Sequence, residues 1–132
     1  MLKRILLSLL IVLLFSSCST FTNQMKVSEV NEIKISEFEN FGSINRDFIK
    51  TITDKEDIKN VVKALNSKSK VHGAVDMPEG DFDLLLIFED SSEEAYHLWI
   101  DSSSATVMQP DDTHTIYNIS SKNAEKINQA LK

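Results

Sequence analysis

The segment Phe82 to Glu89 constrains the fold more than any other part of the chain. Alternation puts Phe82, Leu84, Leu86 and Phe88 on one face and Asp83, Leu85, Ile87 and Glu89 on the other. Apolar residues on both faces of its middle predict a central strand, covered on both sides. Asp90 to Glu94 is a polar turn, and Ala95 to Asp101 returns as the hairpin partner. Tyr96, Leu98 and Ile100 then face one side, with His97 and Trp99 facing the other.

The remaining elements arrange themselves around that hairpin. Val27 to Phe38 alternates in part, clearest at Ile33 and Ile35, and Asn40-Phe41-Gly42-Ser43 reads as a turn. Phe48 to Ile52 is a β-branched run. Asp54 (or Thr53) caps a helix carrying Ile58, Val61, Val62 and Leu65 on one face, and Asn66 to Lys70 ends it. Short strands at Thr106–Gln109 and Thr113–Asn118 flank Pro110-Asp111-Asp112. Ser120 caps a last helix with Ala124, Ile127 and Leu131 inward. The two helices match at a spacing of 66 residues, Asp54, Ile58, Val61, Ala64 and Leu65 against Ser120, Ala124, Ile127, Ala130 and Leu131. Any two capped amphipathic helices share such a pattern. This order predicts an α+β domain: an antiparallel sheet of about five to six strands with two amphipathic helices, after Asp54 and after Ser120.

A different logic governs the first residues. Met1 to Arg4 is a short basic region, and Ile5 to Phe15 is apolar except for Ser8. That stretch is too short for a spanning helix, which needs about 20 residues, and right for a secretory signal of roughly 7–15. Phe15-Ser16-Ser17-Cys18 places the one cysteine of the chain where a bacterial lipobox has its acylated residue. The expected organisation is a lipoprotein signal peptide over 1–17, a lipidated N-terminus and short linker over 18–25, and a single domain over 26–132. Its expected place is the extracytoplasmic face of the cell membrane, with the bilayer as partner through acylated Cys18. Removing residues 1–17 takes away Lys3 and Arg4, so 12 of the 14 basic side chains remain against 20 acidic ones, a formal −8. An acidic domain is repelled by anionic lipid and by nucleic acid, so the acyl chains must supply the attachment and no nucleic-acid partner is expected.

No catalytic constellation stands out. Asp111, Asp112 and His114 gather acids near an imidazole, enough for a weak metal or acid–base site or for a polar turn entering a strand. His72, His97 and His114 lack zinc-type spacing. Asp81-Phe82-Asp83 and Glu89 to Glu94 fit no calcium loop. Ser67-Lys68-Ser69-Lys70 contains S-x-x-K without the partner motifs that give it meaning. No cofactor is implied. Trp99 and His97, on a face shared with Leu85 and Ile87, form either a partner-binding surface or a second small core under the N-terminal segment.

Several of these features together resemble the YhfM-type small lipoproteins of Bacillus and relatives. They are the lipobox, Ile52 with the helix capped at Asp54, Val75-Asp76-Met77-Pro78, Asp81-Phe82-Asp83-Leu84, and Tyr96-His97-Leu98-Trp99-Ile100 before a C-terminal helix. The resemblance runs from about Lys26 to Lys132 and carries over no activity or catalytic residue. The resulting expectation is a membrane-tethered, non-enzymatic binding or accessory module meeting an envelope protein or component. The alternative is a small metal-dependent or acid–base hydrolase built on Asp111, Asp112 and His114.

Overall fold

The computed structural model describes residues 24–132 apart from Ala74; the expected signal peptide and Cys18 lie outside the described residues. A single 3₁₀ turn (Val27–Glu29) leads into β1 (Val30–Glu37), β2 (Lys50–Ile52), α1 (Lys55–Asn66) and β3 (Ser69–Lys70). Then follow β4 (Phe82–Phe88), β5 (Glu93–Ile100), β6 (Ala105–Met108), β7 (Ile116–Ile119) and α2 (Ser121–Leu131). The strands form one sheet in the order β2-β1-β4-β5-β6-β7-β3, and every neighbouring pair is antiparallel. The α+β class is as the sequence predicts, with seven strands rather than five to six.

The additional strand is β3, whose two exposed residues pair with Asn118 and Tyr117 of β7. Nothing in Ser69-Lys70 signals a strand; the backbone of β7 imposes it. In the same region β7 starts at Ile116 rather than Thr113, because Asp112 N and Thr115 N close turns onto Gln109 O and Asp112 O. The caps differ in kind. Asp54 accepts from the backbone N–H of Glu56 at 2.9 Å and of Asp57 at 3.0 Å, whereas Ser120 makes no side-chain capping bond.

Both helices lie on one face of the sheet and bury the larger core. Ile33, Ile35, Leu84, Leu86, Tyr96, Leu98 and Val107 meet Val61, Val62 and Leu65 of α1 and Ala124, Ile127 and Ala130 of α2. Ala130 is buried where the periodicity also placed Leu131, which is only partly covered. The opposite face carries a second, smaller core of Leu85, Met108 and Ile116 around buried Ser36, Asp83 and His97. Its cover is the connection between β1 and β2, residues 38–49, which crosses β4 and β5. A central strand with two apolar faces thus has helices on one side and a long loop on the other.

Candidate functional site

Register brings an acid and an imidazole together beneath that loop. Asp83 of β4 sits directly opposite His97 of β5, and Ser36 of β1 sits opposite Asp83 from the other side. His97 Nδ1 lies 2.6 Å from Asp83 Oδ1, with the side chains 0% and 1% exposed. Asp83 Oδ2 accepts the backbone N–H of Asn45 at 2.7 Å. A carboxylate taken out of water needs such donors, and each of its oxygens has one.

Asn45 locks the loop over the pair. Its carbonyl accepts from Ser36 Oγ at 2.6 Å, its side-chain amide donates to Glu37 O at 3.1 Å, and its side-chain oxygen accepts from Asp47 N at 2.9 Å. Asp83 thereby orients the imidazole through Nδ1, which donates to the carboxylate, and turns Nε2 away from it. That nitrogen is buried and has no hydrogen-bond partner among the described residues. It lies in an aromatic surround: the rings of Phe38, Phe41 and Trp99 have centroids 5.0, 5.9 and 6.4 Å from that of His97.

Two of these rings are fastened and one is loose. Trp99 Nε1 donates to Pro78 O and Glu79 O, both at 3.0 Å. Phe38 packs so closely on Gly80 that a Cβ there would lie 2.8 Å from its ring, so Gly80 has to lack a side chain. Phe41 stacks on Trp99 with rings 23° apart, yet is 43% exposed. It rides on a turn closed by Ser43 Oγ donating to Asn40 Oδ1 and made possible by Gly42 at φ +88.

A second concavity, of about 1160 Å³, opens at one end of the sheet around Lys68, Tyr96 and Tyr117. Lys68 Nζ stands 5.5 Å from both tyrosine ring centroids, and burial pulls its ammonium below the ordinary lysine range, opposed by the charge of Glu94. Its polar groups are already engaged: Lys68 Nζ donates to Leu65 O at 3.3 Å, and the Tyr96 hydroxyl donates to Glu94. Among the described residues, only the Asp83–His97 pair presents a buried, oriented side-chain nitrogen without a partner.

The residues singled out from the sequence fall differently. Asp111 and His114 are exposed, and Asp112 Oδ1 accepts the backbone N–H of His114 at 3.3 Å, so this stretch is a polar turn. Among the described residues no group of three or more His, Cys, Asp or Glu is placed to hold a metal. Leu85, Ile87, His97 and Trp99 do share one face, but His97 and Leu85 are buried beneath the 38–49 loop, and Trp99 and Ile87 are half-buried.

The sequence reading missed the pairing of Asp83 with His97 for a definite reason. Starting β5 at Ala95 opposite Glu89 would set Asp83 against Asp101. The tighter turn at Asp90 to Ser92, with Ser91 at φ +68, begins β5 at Glu93 and slides His97 into place. The available signal was an acid inside an apolar strand whose hairpin partner carries a histidine.

The model of the YhfM family matches residues 26–132. A comparison with curated proteins gave no match. Among solved structures, a thioesterase-like protein from Clostridium sporogenes superposes with a TM-score of 0.66 at 15% identity, over 81% of this chain and 98% of that one. At that identity the two share a fold. The likeness corrects the expectation of a non-enzymatic binding module, since the framework here is one found in a thioesterase-like protein. The residues of the alternative, Asp111, Asp112 and His114, lie in a polar turn with Asp111 and His114 exposed.

Proposed function

The chain belongs to the YhfM family, and from that premise we propose that it is a hydrolase of acyl esters or thioesters that uses His97 as general base. The observation that carries this reading is the unpartnered Nε2 of a buried imidazole, oriented by Asp83 from behind. In the reaction a water held by Nε2 attacks the acyl carbon and gives its proton to that nitrogen. The tetrahedral intermediate then expels the thiolate or alkoxide, which takes the same proton back from His97. The products are a carboxylic acid and a free thiol or alcohol. Asp83 stabilises the imidazolium that forms between the two proton transfers and keeps Nε2 pointed at the water.

The test is hydrolysis of p-nitrophenyl esters and acyl-thioesters by the wild-type protein beside His97→Gln and Asp83→Asn. General-base catalysis is typically worth about 10²–10⁴-fold, so His97→Gln should lose activity on that scale while retaining a cooperative thermal transition. Turnover unchanged in His97→Gln, or none above background in the wild type, overturns the reading.

The lipobox supports a second element of the proposal: the enzyme works at the outer face of the membrane, held by acylated Cys18. Ser19 to Met25 is seven residues, which even at full extension would span at most roughly 25 Å, so the anchor would keep the site close to the bilayer. Cells fed an alkyne-bearing fatty acid should label the wild type and not Cys18→Ala. Equal labelling, or equal release of both into the medium, would remove the anchor.

A further inference from the structure

Beside the Asp83–His97 pair lies a cavity of about 310 Å³. Its floor is Leu85 and Ala95, which pair with each other one side-chain step along the same face from Asp83 and His97. Ile44 and Pro110 form walls, and at its mouth Arg46 Nη2 meets Glu93 Oε2 at 2.8 Å. Gly42, the next residue after Phe41, lines it as well. One turn therefore separates the cavity from the imidazole, with Gly42 on the cavity side and the Phe41 ring against His97 and Trp99.

Resting on the hydrolase reading, we infer that this cavity holds the acyl group of the substrate and that Phe41 is the gate between it and Nε2. The volume is about twice that of an apolar cavity able to take up benzene, which fits an acyl chain of roughly eight carbons or an aryl-acyl group. The floor of Leu85 and Ala95 is apolar and rewards methylene groups, while Arg46, Glu93, Glu94, Gln109 and Asp111 also line the cavity and suit the polar end of the ligand. The ion pair at the mouth keeps polar parts of the ligand outside. The gate is built to move: Phe41 is the exposed member of the aromatic cluster, while Phe38 is packed on Gly80 and Trp99 is held by hydrogen bonds. Displacing it joins cavity and base without breaking the bonds of Asn45 to Ser36 and Asp83.

The experiment has two readouts on the full chain. The first is kcat/KM over p-nitrophenyl esters from acetyl to dodecanoyl, for the wild type, Phe41→Ala and Ala95→Leu. Ala95→Leu fills the floor and should cut octanoyl turnover by about tenfold or more, moving the optimum to shorter chains. Phe41→Ala should lower KM for octanoyl esters. Hydrolysis that depends on His97 with a chain-length profile unmoved by either variant overturns the acyl site and leaves the general base standing.

The second readout needs no turnover. Octanamide, which carries the chain without a labile bond, should change Trp99 emission saturably by lifting Phe41 from its face. Titration calorimetry, which does not depend on the Phe41–Trp99 stack that Phe41→Ala removes, should show binding tighten in Phe41→Ala and weaken in Ala95→Leu. If esters are not hydrolysed but octanamide binds with these variant effects, the cavity stands and the hydrolase reading falls. No saturable change, or binding indifferent to Ala95→Leu, overturns the inference.

Discussion

Replacing both members of the Asp83–His97 pair with apolar side chains should damage the protein less than the two single replacements taken together. Asp83→Leu strands two buried donors, His97 Nδ1–H and Asn45 N–H. Breaking a buried pair from one side costs about 3–5 kcal/mol. His97→Phe strands one oxygen of Asp83 but also removes the orphaned Nε2, whose burial costs about 1–3 kcal/mol, so the net loss is about 2 kcal/mol. In Asp83→Leu/His97→Phe only the Asn45 N–H remains without a partner, a cost of about 1–3 kcal/mol. The single losses sum to about 6 kcal/mol against about 2 or less for the double variant, which also lacks the orphaned Nε2, so the coupling is on the order of 4 kcal/mol or more. Urea unfolding followed by the fluorescence of Trp99, the one tryptophan, and by circular dichroism measures all four species. The same experiment probes function, since the double variant should lose hydrolysis completely while keeping most of its stability. Additive losses, with no coupling beyond about 0.5 kcal/mol, would refute the claim that these groups exist as one buried unit.

Asp54→Ala should cost about 1 kcal/mol in a thermal melt because two helix N–H groups lose their acceptor, whereas Ser120→Ala should cost well under half of that. Desolvation, and then the hydrogen bond to Glu94, raise the Tyr96 phenol above its ordinary value of 10.0. Its contribution is therefore complete below pH 10.0 and declines as the pH rises further. Tyr96→Phe should flatten the alkaline limb of a stability–pH curve. Asp101 behaves in the opposite sense: the amides and hydroxyls of Ser103 and Ser104 hold its carboxyl at about 2 against an ordinary 3.8. That contribution is present above 3.8 and lost as the pH falls toward about 2, so Asp101→Asn should melt with less pH dependence in this window.

The larger core was legible because periodicity and burial agree there: β4 alternates, α1 carries Ile58, Val61 and Leu65 at helical spacing, and Asp54 is a side chain that can cap. The smaller core was visible only as a surplus of apolar residues on the second face of β4. Which segment covers it was not, since residues 38–49 have neither period, and their place is set by Asn45 hydrogen-bonding to Ser36, Glu37 and Asp83. The candidate site depends on register, and register turned on whether the hairpin closes at Ser92 or at Glu94. A two-residue change in where the returning strand begins decides whether Asp83 faces an imidazole or another carboxylate.

The two outermost strands, β2 and β3, are consecutive in the chain apart from α1. Seven strands about 4.8 Å apart place those edges roughly 29 Å from one another. The 12 residues of α1 reach about 18 Å at 1.5 Å each. The links, three Cα-to-Cα steps at each end, add at most roughly 20 Å. The helix is thus a ruler with less than two turns of slack, tying one rim of the sheet to the other. Deleting two helical turns, about 11 Å, would leave β3 unable to reach β7 unless the sheet curled more tightly or gave up an edge. The width of the sheet, and with it the span of floor beneath the 38–49 loop, is measured out by α1 on the far side.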